Sequence, residues 1–262
     1  MSSQTHGAYC RKIYVYGVPV HCCSTEYVLG EIDRNVQGPR VKHYISITNT
    51  ESMYFAKRMP EHLHYIENAH FSFCDGIGVV LAGRATGKQV SRLNGPVLME
   101  LCCEHGVNKK WRHFFCGGKE GVADLLSCTL AERFPGMISS GTFCPPFRQM
   151  STVEEDEMID VINAAKSDVL WVGLGLLKQE AWIARHSHRL EVPWMIGVGA
   201  AFDFLAGTAR RAPKPVRYIG MEWFYRLCFE PRMFMRNVRS YVFMFQAIRH
   251  ELKYNGVSPR SE

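Results

Sequence analysis

The sequence of 262 residues predicts an α/β fold with a mostly parallel sheet flanked by helices. Strand-like and helix-like stretches alternate along residues 1–207, which is the pattern of consecutive βαβ units. The run VLWVGLG at residues 169–175 is apolar throughout, and VPWMIGVGAAFDF at residues 192–204 is apolar except for Asp203, as in strands covered on both faces. A hydrophobic content of 47% suits one large domain, and 21% charged residues exclude wholesale disorder.

The predicted elements follow in order from the N-terminal side, separated by glycine, proline and polar turns. Strands are predicted at residues 12–20 (or a hairpin there), 41–49, 111–116, 137–147 with a proline loop at its end, 169–175 and 192–204. Helices are predicted at residues 50–59, 95–106, about 121–134 and 154–168. The last of these helices begins with acidic residues, which favour the positive end of a helix dipole.

After residue 207 the sequence becomes basic and aromatic. Residues 208–253 hold ten Lys or Arg and three Asp or Glu, whereas the whole chain has a net charge of +6. Such a stretch indicates an anionic partner: nucleic acid, a membrane or phosphate. We therefore divide the chain into a core at 1–207, a basic appendage at 208–253 and a flexible tail at 254–262.

A helix with two faces can be drawn in the appendage from Arg232 onward. Arg232, Arg236 and Arg239 share one side of it. The apolar side is formed by Met235, Val238, Val242, Phe245, Ile248 and Leu252. Two interpretations stay open: a helix that lies at a membrane interface or docks a partner, and an ordinary helix packed on the domain.

Several classes of protein are disfavoured by what the sequence lacks. Ten cysteines without a CxxC pair or an apolar leader predict reduced thiols in a cytoplasmic protein without structural zinc. No apolar run reaches the ~18–20 residues of a membrane-spanning helix. The GxGxxG turn of a dinucleotide-binding oxidoreductase is absent, and so is a DxD motif for a divalent metal.

Three short motifs place polar groups where a strand ends. Asp75 follows an apolar run in FCDGIG, where it is either a general base or part of a plain turn. Gly117 and Gly118 in CGGKEG either let backbone N–H groups approach a phosphate or only reverse the chain. In KQEAW, Gln179 and Glu180 either face a ligand or start a helix whose Trp182 packs on the core.

Taken in order, these and further motifs resemble the WecG/TagA/CpsF glycosyltransferase family. The resemblance covers about residues 13–241 and rests on DGIGVVLAGR, RLNG, FFCGGKEGVA, VGLGLLKQEAW, GVGAAFDFLAG, RAP and GMEWFYRLCFEPR. It implies a Rossmann-like core with a C-terminal appendage that docks at the membrane. It also implies transfer of a hexosyl residue, with inversion and without a metal or other cofactor, from a UDP-sugar to an undecaprenyl-diphosphate-linked saccharide.

The resemblance assigns roles residue by residue. Asp75 matches the base that deprotonates the acceptor hydroxyl, while Asn49 (with Thr48 beside it) and Gln179 (with Glu180) match positions that face the donor sugar. Arg92 matches an arginine near the site. Arg226, Arg232 and Arg236 match appendage arginines that meet the diphosphates. The chain departs from the family pattern at Ile47 and Val97, which leaves the sugar open among N-acetylmannosamine, its uronate and glucose.

The resemblance also implies a protein at the inner face of a bacterial cell membrane, bound to its anionic surface. Such a protein takes part in the synthesis of surface polysaccharides such as capsule or teichoic acid. We expect no nucleic acid partner, and self-association stays open. The alternative is a non-catalytic protein that binds a membrane surface or a nucleotide.

Overall fold

The computed structural model describes residues 9–84, 87–209, 213 and 234–255. In these ranges the strands are β1 (Cys10–Val15), β2 (Val18–Cys23), β3 (His43–Thr48), β4 (Phe71–Cys74), β5 (Arg112–Gly117), β6 (Ile138–Phe143), β7 (Val169–Gly173) and β8 (Trp194–Gly197). The helices are α1 (Thr25–Gln37), α2 (Thr50–Ala56), α3 (Pro60–Glu67), α4 (Ile77–Arg84), α5 (Gly95–Lys109), α6 (Val122–Arg133), α7 (Thr152–Ala164), α8 (Lys178–His186), α9 (Ala201–Leu205) and α10 (Phe234–Asn255).

Six strands form one parallel sheet in the order β4-β3-β8-β7-β5-β6. Successive residues along its central strands enter different cores: Phe115 and Trp171 pack with α1, α5, α6 and α9, whereas Phe114 and Leu170 pack with α7 and α8. Because side chains alternate along a strand, both faces are apolar and both are covered. The predicted parallel sheet flanked by helices is therefore confirmed.

The first two strands form a separate antiparallel hairpin. Its two-residue turn holds Tyr16 at φ 50° and Gly17 at φ 74°, the pair of positive φ angles that a tight hairpin turn requires. Cys10 and Cys23 are partners in the register, and the structure joins them as a disulfide. The prediction of reduced thiols is therefore wrong for this pair, which the hairpin brings face to face.

A third core forms where the hairpin, α2, α4 and α10 meet. Phe243 and Ala247 of α10 are fully buried in it, and the ring centroid of Phe243 lies 5.8 Å from that of Tyr16. Arg239 Nη1 lies 3.3 Å from Glu51 Oε1 on α2. The packed side of α10 therefore includes Arg239, which helical spacing grouped with the basic side. Arg239 lies there because it pairs with the buried carboxylate of Glu51.

The other side of α10 is exposed and apolar. Val238, Tyr241, Val242 and Phe245 follow helical spacing on this side, and the Phe245 side chain is 68% exposed. Ile248, predicted on the same face, instead packs partly against the third core. The interpretation of a helix packed on the domain is therefore confirmed for one side, whereas docking of the exposed stripe at a membrane or partner stays a prediction.

At the ends of two strands the structure corrects one sequence prediction and decides between the alternatives of another. The predicted strand at 192–204 stops at Gly197, and its second half is the short helix α9, because the chain turns at Gly199, where φ is 53°. Lys178 begins α8, and Trp182 is buried in the core beside α7. The division of the chain at residue 207 stays a prediction, since most of residues 208–233 lie outside the described ranges. None of the helices in the described ranges is both long and apolar enough to span a bilayer.

Candidate active site

One large cavity, of about 1170 Å³, runs along the carboxyl edge of the parallel sheet. Open α/β sheets bind ligands at this edge. Every strand of the sheet contributes a lining residue from the segment after it: Asp75, Asn49, Gly199, Leu174, Gly118 and Pro145, in the spatial order of the strands. Ser240, Tyr241 and Met244 of α10 also line the cavity. The topology therefore collects motifs that are far apart in the sequence.

Asp75 stands directly after β4 and is held by its backbone. Its N–H donates to the carbonyl of Thr48 at 3.1 Å, and its own carbonyl accepts from Arg92 Nε at 2.9 Å. Arg92 Nη2 lies 3.6 Å from the carboxylate Oδ1, and the side chain of Asp75 is 34% exposed. The carboxylate is thus fixed at the wall of the cavity beside a guanidinium group, and both residues line the cavity, while their predicted roles stay predictions.

The glycines that follow Asp75 permit a close approach between α4 and α2. A Cβ atom at Gly76 would lie 2.6 Å from Thr50 Oγ1, and one at Gly78 would lie 3.0 Å from the same atom. Side chains at either position would push away the first turn of α2, which begins beside Asn49. These glycines therefore keep two parts of the cavity wall together.

Asn49 caps the N-terminus of α2 and lines the cavity. Its Oδ1 accepts from the backbone N–H of Ser52 at 2.8 Å, so the Nδ2 amide group is what this residue can offer to a ligand. Thr48 lies below the lining: it is fully buried, with its hydroxyl 3.0 Å from that of Ser72. The structure thus brings Asn49, but not Thr48, to the cavity.

The glycine turn after β5 is needed to bring two loops together. A Cβ at Gly117 would lie 2.6 Å from the backbone of Gly173, at a φ of 133° that disfavours other residues. The N–H of Gly118 donates to the carbonyl of Gly173 at 3.1 Å. Gly118 lines the cavity whereas Gly117 lies outside the lining. The N–H of Gly118 is therefore already bonded, which favours the chain-reversal interpretation at this position.

Gln179 lines the cavity from the first turn of α8 and is almost fully buried. Its Oε1 accepts from the N–H of Gly199 at 2.9 Å, and its Nε2 donates to Glu180 Oε1 at 3.0 Å. Glu180 lies behind it, outside the lining, and burial raises the pKa of its carboxyl from 4.5 to about 7. Of the two predicted donor-facing residues, the structure brings only Gln179 to the cavity.

Charged side chains are concentrated in the lining. The described cations are Arg92, Lys119, Arg148, Lys178 and Arg185, and the described acids are Asp75, Glu155 and Asp203. The predicted diphosphate arginines fall elsewhere: Arg226 and Arg232 lie outside the described residues, and the side chain of Arg236 is not among those described. Within the described part, core residues thus supply the cations, and Lys119, Arg148 and Arg185 were missed because their segments meet only in the folded sheet.

Comparison with known proteins identifies the family. The model of the glycosyl transferase WecG/TagA/CpsF family matches residues 13–256. The chain belongs to this family. Curated relatives include the N-acetylglucosaminyldiphosphoundecaprenol N-acetyl-beta-D-mannosaminyltransferases of Staphylococcus aureus strains NCTC 8325 / PS 47 and COL. Each is 27% identical over 211 residues, which cover 80% of this chain and 81% of the relative.

Ile47 and Val97, the two positions at which this glycosyltransferase departs from the family pattern, differ in their distance from the cavity. Ile47 lines the cavity beside Asn49, whereas Val97 is partly exposed on α5 and lies outside the lining. Only Ile47 is therefore placed to contact a ligand. Asp203 of α9 also lines the cavity, and its carboxylate accepts a hydrogen bond from the Thr208 hydroxyl at 3.3 Å.

The described part of this glycosyltransferase contains no group of three or more His, Cys, Asp or Glu side chains arranged to hold a metal ion. His113 and His62 are buried singly, and burial lowers the pKa of each to about 4. His62 Nε2 lies 2.9 Å from the hydroxyl of Ser52, in the first turn of α2. These histidines therefore belong to the interior that supports the site.

Proposed function

We propose that this family member transfers a hexosyl residue from a UDP-sugar to a polyprenyl-diphosphate-linked acceptor, with inversion and without a metal. The observation that carries the proposal is the position of Asp75, a carboxylate fixed at the carboxyl end of β4 on the wall of a large cavity. The acceptor class is the one that the name of the Staphylococcus aureus relatives gives. The sugar is proposed only as N-acetylmannosaminyl, its uronate or glucosyl, because Ile47 alters the lining.

In the proposed mechanism Asp75 accepts the proton of the acceptor hydroxyl. The oxygen attacks the anomeric carbon from the side opposite to the bond that joins the sugar to UDP, and that bond breaks with its electron pair on the phosphate. One displacement inverts the anomeric configuration. Arg92, 3.6 Å from Asp75 Oδ1, holds the carboxylate in place as an acceptor of the proton.

The leaving UDP gains negative charge that cations must offset. We assign this role to Arg226, Arg232 and Arg236 of the appendage, together with Lys119 and Lys178 of the core. Lys178 follows β7 and Lys119 follows β5, three and four strands from β4 in the sheet. At ~4.8 Å per strand these lysines lie roughly 14–19 Å along the edge from Asp75, which suits a nucleotide with its sugar toward Asp75.

Cavity size supports a reaction between two bound substrates. Pockets for single small ligands usually measure about 300–1,000 Å³, and this cavity exceeds that range. Donor and acceptor head groups can therefore lie in it together.

The stripe of Val238, Tyr241, Val242 and Phe245 supports docking on a membrane. An amphipathic helix that buries such a stripe lies in the plane of the interface, and basic residues around it favour anionic lipids. Tyr241 belongs to both the stripe and the lining of the cavity. We therefore propose a peripheral protein on the cytoplasmic side of the membrane, with a core at 1–207 and an appendage at 208–253.

Asp75→Asn tests the assignment of the base. We expect this variant to lose transfer while it binds the UDP-sugar about as tightly as the wild type, because an amide cannot accept the proton. Transfer from a panel of UDP-sugars to a short-chain polyprenyl diphosphate is read by mass spectrometry, and binding by calorimetry. Asp160→Asn, an exposed carboxylate on α7 outside the cavity, is the matched control.

Near-normal transfer by Asp75→Asn removes Asp75 from the role of base. Loss of transfer on addition of a chelator, restored by manganese, contradicts the metal-free mechanism. Binding to vesicles without any binding of UDP favours the alternative of a non-catalytic membrane-surface protein, which the exposed stripe of α10 alone would explain.

A further inference from the structure

The side-chain amide of Gln179 is held in one orientation by two hydrogen bonds. The N–H of Gly199 can only donate, so the atom it meets at 2.9 Å must be the amide oxygen. The amide nitrogen then faces Glu180 Oε1 at 3.0 Å. An amide nitrogen carries two hydrogens, and Glu180 takes one. The second is the donor that Gln179 can present to a ligand oxygen in the cavity.

Close packing supports this orientation. A Cβ at Gly197 would lie 3.1 Å from Gln179 Nε2, and Gln179 itself is only 3% exposed. Glycine at position 197 therefore makes the space that the amide fills. The packing limits where the amide lies, but oxygen and nitrogen are similar in size, so hydrogen bonds must decide which end faces which partner.

The carboxylate of Glu180 is buried, which costs free energy of folding. Its side chain is 2% exposed, and besides the Gln179 amide its carboxylate meets the backbone N–H groups of Leu177 and Glu180 at the start of α8. Burying a carboxylate costs free energy that these hydrogen bonds offset only in part, since burial still raises its pKa. Glu154 occupies the same helix position in α7, but there it closes a capping box with Ser151 near the surface. Leu177, at the N-cap of α8, has no capping side chain, so only the half of this arrangement in which the Glu180 carboxylate meets the Leu177 N–H is present.

We propose that Glu180 is a positioning residue, whose carboxylate fixes the Gln179 amide so that an Nε2 hydrogen meets an oxygen of the bound donor sugar. This inference rests on the proposed function. Glu180 lies outside the cavity lining and acts through Gln179. Without its carboxylate the Gln179 amide loses one of its two fixed partners and rotates away from the productive orientation.

A double-mutant cycle tests this role. Glu180→Met removes the acceptor while it keeps the volume of the side chain, and Gln179→Ala removes the amide that Glu180 is said to hold. We expect Glu180→Met to lower kcat/KM for the UDP-sugar about tenfold, the size of one hydrogen bond in a shielded site. In the Gln179→Ala background the same change should alter kcat/KM by less than about twofold.

A conservative variant and a stability measurement separate positioning from a structural role. Glu180→Gln keeps an acceptor oxygen at the same place, so we expect kcat/KM within about threefold of the wild type, since a neutral acceptor bonds less strongly. Glu180→Met should unfold at the wild-type temperature or above it, because replacing a buried charge by a well-packed apolar group is often neutral or stabilising.

Three outcomes overturn the inference. Equal losses of kcat/KM from Glu180→Met in the two backgrounds show that Glu180 acts independently of Gln179. Equal losses in Glu180→Gln and Glu180→Met show that the acceptor oxygen is not what matters. Wild-type activity in Glu180→Met shows that no positioning is needed. In each case wild-type transfer from a UDP-sugar leaves the proposed function standing, whereas absence of any transfer by the wild type removes both.

Discussion

Replacing Glu180 by glutamine is expected to change how the stability of the fold depends on pH. Burial raises the pKa of this carboxyl from 4.5 to about 7 in the folded state. Between these two values the folded state binds a proton that the unfolded state has released. The stability associated with that proton is therefore fully present below pH 4.5 and is lost as the pH rises through about 7.

The size of the effect follows from the two pKa values. A separation of about 2.5 units, at about 1.4 kcal/mol per unit, corresponds to roughly 3 kcal/mol of unfolding free energy lost between low and high pH. Glutamine at position 180 has no proton to lose. Relative to the wild type, Glu180→Gln should therefore gain stability by up to about 3 kcal/mol between pH 4.5 and pH 8.

Urea unfolding of both proteins at several pH values from 4.5 to 8 measures this difference. The comparison is needed because His21, His62 and His113 have pKa values lowered to about 4, which makes both proteins more stable as the pH rises through this range. Glu157→Gln, an exposed position on α7, should run parallel to the wild type. Parallel curves for Glu180→Gln and the wild type would refute the assignment of a raised pKa to Glu180.

Three further changes test the packing around the cavity and the exposed stripe. Gly117→Ala places a Cβ 2.6 Å from the backbone of Gly173, so we expect a loss of at least about 2 kcal/mol in urea unfolding; unchanged stability would show that the two loops separate easily. Phe243→Ala should cost about 3–5 kcal/mol in the same assay, because a fully buried ring is lost; a loss below about 1 kcal/mol would show that α10 does not depend on this contact. Phe245→Asp should leave the unfolding midpoint nearly unchanged but weaken sedimentation with anionic vesicles, and undiminished sedimentation would show that the stripe does not meet the membrane.

The parallel sheet could be predicted because its strands are apolar on both faces. Leu170 and Trp171 enter different cores, so both faces of this strand need apolar side chains. A run without polar residues therefore predicts a buried strand. The run at residues 192–204 is apolar for a second reason, since Phe202 of α9 packs in the core as a helical residue. Composition alone cannot separate these two cases, and the turn at Gly199 decides between them.

Within the candidate site, sequence reasoning located segments better than individual side chains. Asn49 and Gln179 line the cavity, whereas their neighbours Thr48 and Glu180 lie beneath it. One step along the chain turns a side chain to a different direction, and a motif does not state which direction faces a ligand. The two interpretations of Gln179, that it faces a ligand or that it starts a helix, do not exclude each other, because the first turn of α8 lies at the edge of the cavity.

The cations of the lining show a second limit. Arg148 follows β6 and Lys119 follows β5, and neither belongs to a charge cluster in the sequence. They meet because parallel strands deliver their following segments to one edge. In α10, helical spacing predicted two faces but not what each face contacts, so the ion pair between Arg239 and Glu51 could not be predicted.

The docking of α10 affects when this enzyme becomes complete during its synthesis. The ribosome has finished the sheet and most of the cavity wall by the time it has added Phe204, yet Ser240, Tyr241 and Met244 are still to come. Phe243 packs in the core formed by the N-terminal hairpin, α2 and α4, so these elements must be in place before α10 can dock. A nascent chain therefore carries an open cavity from the completion of α9 until α10 is made, and the cavity wall closes only when this last helix joins the parts made first.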